Sequence, residues 1–218
     1  MENQSKADFF PIHLNLKGKK CLVIGGGKVA ERKVEALLRC SAEINLISPT
    51  ITDYLQKIVN RGIIQYFNRL YQQKDLDNCF IVISACNDKC INEKIAKACH
   101  QKNIPVNVVD DPSNCSFIIP SVLQRGALTI AVSTQGKCPM LSKKIREKIE
   151  STLGPEYAEY TELISEARQK IIQKIQCPIE KKRIMENILS KKIVQLICDG
   201  KAQQAKEQVE ECLLPYME

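Results

Sequence analysis

The order of apolar and polar positions changes period repeatedly along the first half of the chain. Residues 20–24, 42–47, 63–67, 79–85 and 105–109 are short apolar runs of strand length. The segments between them have helical spacing. In residues 28–39, Ala30, Val34, Leu37 and Leu38 fall at i, i+4, i+7 and i+8, which puts them on one face. Residues 51–60 and 88–101 read the same way, the second with Ile91, Ile95 and Ala98 on one side. Strands apolar on both faces and alternating with helices predict a parallel sheet joined by right-handed crossovers.

After residue 112 the pattern differs. Residues 116–123 and 128–133 are β-rich runs joined by Gln124-Arg125-Gly126-Ala127, a hairpin-like pair rather than a strand–helix–strand unit. Residues 139–153 read as a helix with Pro139 in its first turn. Beyond Gly154-Pro155 no strand signal remains. Residues 156–175, 179–198 and 201–214 read as three helices, with breaks at Cys177-Pro178 and Asp199-Gly200. The expected organisation has three parts: an α/β domain over residues 1–112, a small β-plus-helix segment over 113–153 and a helical C-terminal domain over 154–218.

Composition narrows the classes. The 218 residues leave room for one large domain or two small ones. With 44% apolar and 26% charged positions, the chain excludes disorder, collagen and coiled coil as whole-chain readings. No run approaches the roughly 20 apolar residues of a membrane span, so no membrane association is expected. Residues 1–8 are polar and carry no apolar signal core, which predicts a cytoplasmic protein. The 11 cysteines are odd in number and form no Cys-x-x-Cys pair, as expected of a reducing compartment where most serve as small core hydrophobes. Cys86, Cys90, Cys99 and His100 do not match zinc-finger spacing, and no metal site is expected. A net charge of +7 suits an anionic small ligand or a plain soluble surface. The absence of Trp and an aromatic content of 5% argue against a nucleic-acid partner.

Candidate chemistry begins at the first strand end. Gly25-Gly26-Gly27-Lys28-Val29-Ala30 fits G-x-G-x-x-A. The first glycine permits a sharp turn, the second lets backbone approach a pyrophosphate, and the small last residue lets the helix pack close to the sheet. The helix start offers free N–H groups and partial positive charge to phosphates. The motif follows a strand and opens an amphipathic helix, so a Rossmann-like, dinucleotide-binding sheet is the expected fold of this part. The end of the second strand holds Ser48-Pro49-Thr50 where NAD-binding sheets usually carry an acid, and no arginine replaces it, which favours NAD over NADP.

Ligands of open parallel sheets sit beyond the carboxyl ends of the strands. Asp110 and Asp111 close the fifth run and face the nicotinamide half of such a cleft, where a carboxylate can act as a general base; a turn or cap role before Pro112 is the alternative. Cys86-Asn87 closes the fourth run and should line the same cleft as a cofactor contact, since no histidine lies nearby in sequence to activate the thiol. Residues 137–148 hold Lys137, Lys143, Lys144, Arg146 and Lys148 against Glu147. Ser133, Thr134, Lys137 and the helix start behind them form a candidate carboxylate-binding loop. For most of these lysines, and for those of residues 168–192, a solvated helix face is the alternative.

Taken together, these segments resemble the precorrin-2 dehydrogenase/sirohydrochlorin ferrochelatase family, which also forms the N-terminal module of sirohaem synthases. The residues that carry the resemblance are Phe10-Pro11-Ile12 and Leu16, the triple glycine with Val29-Ala30-Glu31-Arg32-Lys33, Asn107-Val108-Val109-Asp110, Ser116-Phe117-Ile118-Ile119-Pro120-Ser121, and Ile130-Ala131-Val132-Ser133-Thr134 leading to Pro139. The resemblance implies NAD-dependent oxidation of precorrin-2, an anionic tetrapyrrole with eight carboxylates, to sirohydrochlorin. It implies a homodimer built through the segment 113–153. It places the essential aspartate on Asp110 and nucleotide contacts on the turn from Gly25 to Ala30, on Ser48, Pro49 and Thr50, and near Ala85 and Cys86. The family often has threonine where this chain has Cys86, and glycine in the loop that holds Gln135. Some members also insert ferrous iron into sirohydrochlorin. That bifunctional reading, and a non-catalytic NAD-sensing domain, are the competing expectations.

Overall fold

The computed structural model of the chain describes residues 8–216. Residues 1–7 of the polar start, on which the expectation of no secretion signal rests, lie outside the described residues. The chain divides into two compact units, residues 1–119 and 120–218.

In the first unit, β1 (Lys20–Ile24), α1 (Lys28–Arg39), β2 (Glu43–Ile47), α2 (Asp53–Asn60), β3 (Gln65–Phe67), β4 (Ile81–Ser84), α3 (Lys89–Gln101) and β5 (Val106–Val108) alternate as expected. The five strands are parallel in the order β3-β2-β1-β4-β5. The core explains why the central strands β1 and β4 read as nearly continuous apolar runs. Cys21 and Val23 of β1 pack with Ala30, Val34 and Leu37 of α1 on one face, while Leu22 and Ile24 pack with Ile95, Ala96 and Cys99 of α3 on the other. Alternate residues thus enter different cores, so neither face can be polar.

The outer edge of β5 is covered by the chain that follows it. Ser116 N–H donates to the Val106 carbonyl (2.9 Å) and Val106 N–H to Ser116 Oγ (2.6 Å). Val108 N–H donates to Cys115 Sγ (3.1 Å), and Asn107 Nδ2 to the Phe117 carbonyl (3.1 Å). Side chains here satisfy groups that a neighbouring strand would otherwise take. This docking delays the next strand: β6 starts at residue 121, not 116.

The second unit opens with the antiparallel pair β6 (Ser121–Arg125) and β7 (Leu128–Val132), turned at Gly126 with φ of 55°. α4 (Pro139–Glu150) follows, and Arg125 ties the hairpin to it through Glu150 and the Leu153 carbonyl. The rest is helical, with four helices where three were expected: α5 (Tyr157–Lys174), α6 (Pro178–Ile188), α7 (Lys191–Cys198) and α8 (Ala202–Leu213). The run over 179–198 breaks at Leu189-Ser190, Ser190 being extended at ψ 151°. Ile184, Ile188, Ile193 and Ile197 all enter one core. The step from 188 to 193 is five residues, which on a continuous helix would swing Ile193 well off the buried face. The break restores the aim.

The cysteines divide between core and surface. Cys21 and Cys99 are buried, and burial pushes their thiols up to about 11 and about 12. Cys79, Cys86, Cys115 and Cys212 are half-buried and pack against the cores, so six of the eleven serve as expected, while Cys40, Cys90, Cys138, Cys177 and Cys198 are exposed. Among the described residues no helix is long and apolar enough to cross a membrane.

Candidate active site

A cleft of about 1190 Å³ opens at the carboxyl ends of the five parallel strands. Its first wall is the turn after β1. Gly25 has φ of 115°, a conformation that L side chains rarely adopt, and a Cβ there would collide with the Ala85 carbonyl. Gly26 lies against the loop after β2: a Cβ would strike the Thr50 carbonyl, while the Gly26 carbonyl accepts from Thr52 N–H (3.1 Å). Gly27 sits at the N-cap of α1, and a Cβ there would meet nothing within 4 Å.

No side chain caps the start of α1, so its first-turn N–H groups face the cleft uncommitted. The start of α3 differs, because Asp88 accepts from the N–H groups of Cys90 (2.8 Å) and Ile91 (3.2 Å). The start of α2 is also capped, Thr52 Oγ1 accepting from Leu55 N–H (3.3 Å), so of the three α-helix starts that meet the cleft α1 is the one electrostatically open to phosphate.

The expected cofactor contacts fall mostly together. Gly25, Gly26, Gly27, Lys28, Val29, Ser48, Pro49, Thr50, Ala85 and Cys86 all line the cleft. Ala30 does not; it is wholly buried against the sheet, and its small size serves helix packing. At the β2 end, Ser48 Oγ donates to the Thr50 carbonyl (2.6 Å), which fixes the loop. Arg69, beyond β3, is held in two bonds by Asp75 (2.8 and 2.6 Å). Leu70 beside it is exposed in the cleft wall. This end therefore offers a dinucleotide an apolar shelf and hydroxyl groups, with neither an acid at the carboxyl end of β2 nor an uncommitted Arg69.

At the β5 end the two neighbouring acids separate in role. Asp111 accepts from Ser113 Oγ (2.6 Å) and Asn114 Nδ2 (2.7 Å), bonds that hold its carboxyl below the usual carboxylate range. It is a turn residue. Asp110 lines the cleft with φ of 60°, and among the described residues no hydrogen bond or ion pair engages its carboxylate. Half-buried Lys33 of α1 feels its charge: the ammonium is pushed down by burial and by Arg32, against the opposing pull of Cys115 and Asp110. Cys86 lies with Sγ 3.6 Å from the Ile24 carbonyl, and burial pushes its thiol up, as suits a wall residue rather than a nucleophile.

Sequence reading missed Asn92, a buried amide of α3 that lines the cleft. Its signal was present: a polar residue beside Ile91 on the apolar side of a helix, matched by Ser84 in an otherwise apolar strand. The remaining expected residues belong to the second unit. Ser133 Oγ accepts from Gln135 N–H (3.0 Å), and Thr134 Oγ1 accepts from Cys138 N–H (3.0 Å) and Ser142 Oγ (3.1 Å). Lys137 is exposed, and no ion pair engages it among the described residues.

The comparisons with known proteins agree with this geometry. The family model NAD_binding_7, an NAD(P)-binding family, matches residues 12–121, and the model for the central part of sirohaem biosynthesis proteins matches residues 125–152. A siroheme synthase of Vesicomyosocius okutanii is 37% identical over 199 residues, covering 91% of this chain and 43% of that protein. One from Thioalkalivibrio sulfidiphilus is 35% identical over 206 residues, covering 94% and 42%. The chain thus spans less than half the length of these curated relatives. Among solved structures, that of SirC, a precorrin-2 dehydrogenase, superposes with a TM-score of 0.75 at 27% identity, covering 93% of this chain and all of that one.

Proposed function

Because this chain belongs to the family of precorrin-2 dehydrogenases and sirohaem synthases, an NAD(P)-binding family, we propose that it oxidises precorrin-2 to sirohydrochlorin with NAD as acceptor. The observation that carries the reading is one cleft holding both an open glycine turn and, at the β5 end, a carboxylate without a partner among the described residues. The residues fit a dinucleotide: Gly27 exposes backbone beside buried Gly26, α1 presents its uncapped first turn to phosphates, and the β2 end suits a ribose hydroxyl. Bound NAD supplies a ring that accepts hydride.

The protein's own part is to bind, orient and move a proton. Oxidation removes a hydride and a proton from the reduced macrocycle, and Asp110 takes the proton, directly or through water. The free oxygens of Asp110 suit that role, whereas those of Asp111 are already occupied. Ser133, Thr134 and Lys137, at the start of α4, hold a substrate carboxylate. The protein acts in the cytoplasm as a homodimer; exposed Val122 of β6 and Met140, Leu141 and Ile145 of α4 supply the apolar surface.

The test is anaerobic incubation of the purified chain with precorrin-2 and NAD, followed by ferrous iron. Appearance of sirohydrochlorin together with NADH supports the reading. Sirohaem absorbance after iron addition would make the enzyme bifunctional, and NAD binding without turnover would make the chain a nucleotide sensor.

A further inference from the structure

Resting on the NAD reading above, we propose that Asn92 is a positioning residue of the cleft, fixing the Cys86 carbonyl and thereby the junction where the ends of β1 and β4 meet. Asn92 is 6% exposed, yet it reaches the cleft wall from the second turn of α3. Both ends of its amide are used. Nδ2 donates to the Cys86 carbonyl (3.0 Å), and Oδ1 accepts from Ser84 Oγ (2.6 Å). The Cys86 carbonyl can only accept, so the nitrogen must face it and the amide has a single orientation. Ser84 is wholly buried at the end of β4, where its hydroxyl would be costly to leave without an acceptor.

The Cys86 carbonyl matters because of what lies on the other side of it. Ala85 N–H donates to the Ile24 carbonyl (2.7 Å). The Ala85 carbonyl fills the place of a Cβ on Gly25, and Cys86 N lies 3.3 Å from that position. Residues 85 and 86 are therefore wedged between the glycine turn and the Asn92 amide. Among the described residues no backbone N–H reaches the Cys86 carbonyl, so Asn92 supplies its hydrogen bond. If the amide lets go, residues 85 and 86 can move, and with them the floor under Gly25. The glycine turn has no side chain of its own to anchor it: it rests on that floor on one side and on the other is held by Gly25 N–H donating to the Ile47 carbonyl (2.9 Å) and by Thr52 N–H donating to the Gly26 carbonyl (3.1 Å).

The experiment measures NAD affinity by calorimetry, thermal melting, and KM for NAD against kcat, on the full chain with three substitutions. Asn92→Asp keeps the size and the acceptor for Ser84 but turns the donor towards Cys86 into an acceptor. Asn92→Ala removes both bonds without adding charge. Ser84→Ala removes the buried hydroxyl and leaves the bond to Cys86. Both Asn92 variants should weaken NAD about tenfold or more, raising KM while kcat at saturating NAD stays within about threefold. Ser84→Ala should shift the melt yet keep NAD affinity within about threefold. Wild-type affinity in folded Asn92→Ala, or an equal loss in Ser84→Ala, would overturn the inference while leaving the NAD reading intact. Failure of the unaltered chain to bind NAD would instead remove the reading beneath it.

Discussion

The Thr50 carbonyl occupies the space that a side chain on Gly26 would need, and Gly26 in turn accepts a hydrogen bond from Thr52 N–H at 3.1 Å. The turn after β1 and the loop after β2 are thereby locked together, backbone against backbone. Thr52 extends the lock, donating to Glu31 Oε2 (2.5 Å) on α1 while accepting from Leu55 N–H (3.3 Å) at the start of α2.

The three consecutive glycines therefore differ in what they tolerate. Gly26→Ala should lower the melting temperature sharply, because backbone must move to admit the methyl group. Gly27→Ala should melt within a few degrees of the unaltered chain, since its φ of −82° is ordinary and its Cβ would meet nothing within 4 Å. Differential scanning calorimetry of the two variants checks this ordering, and equal losses would contradict the packing described.

Asp110 sits in the left-handed region at φ 60°, where Asn is nearly as well accommodated as Asp and Ala is strained by about 1 kcal/mol. Asp110→Asn should thus retain the fold and NAD affinity while losing precorrin-2 turnover by at least about a hundredfold. Asp110→Ala should lose turnover as completely and melt somewhat lower. Turnover that survives within a few-fold in either variant would remove the proton-transfer role.

Burial pushes the Cys86 thiol above its usual range, with the Ser84 hydroxyl pulling partly back. A raised value leaves less thiolate at any given pH, so the curve of reactivity against pH moves to the alkaline side. At pH 7.5, iodoacetamide should label exposed Cys40, Cys90 and Cys138 before Cys86. Labelling of Cys86 should climb with pH and level off at a more alkaline pH than an unburied thiol, and should slow in the presence of NAD. Peptide mass spectrometry over a pH series reads the outcome.

Asp75 binds Arg69 in two bonds and accepts from Gln72 N–H (2.8 Å). Burial raises its carboxyl, but these bonds outweigh burial and leave it below the ordinary value. A carboxyl lower in the folded than in the unfolded state stabilises above its unfolded value, about 3.9, and loses that contribution as pH falls through the folded value. Asp75→Asn should therefore melt lower than the unaltered chain at pH 7, and the gap should close below about pH 4. A gap constant down to pH 2.5 would mean that the ion pair contributes nothing.

If α4 and β6 form the dimer contact, Ile145→Glu should convert dimer to monomer in light scattering, because a charge would then be buried against an apolar partner. Ile172→Glu, on α5, replaces an equally exposed apolar residue and should leave the dimer intact.

Local pattern was enough for much of this protein. The mostly apolar runs between helical segments marked the strands, and the glycines after the first run marked a tight turn into a helix, because these features depend on neighbours a few residues away. Tertiary structure decided the rest. It told Asp110 from Asp111, since the partners of Asp111 arrive through a turn whose shape two adjacent acids do not reveal. It also revealed Asn92, whose amide holds the Cys86 carbonyl. Both depend on which polar group lies against a side chain, and a periodicity of 2 or 3.6 residues cannot encode that.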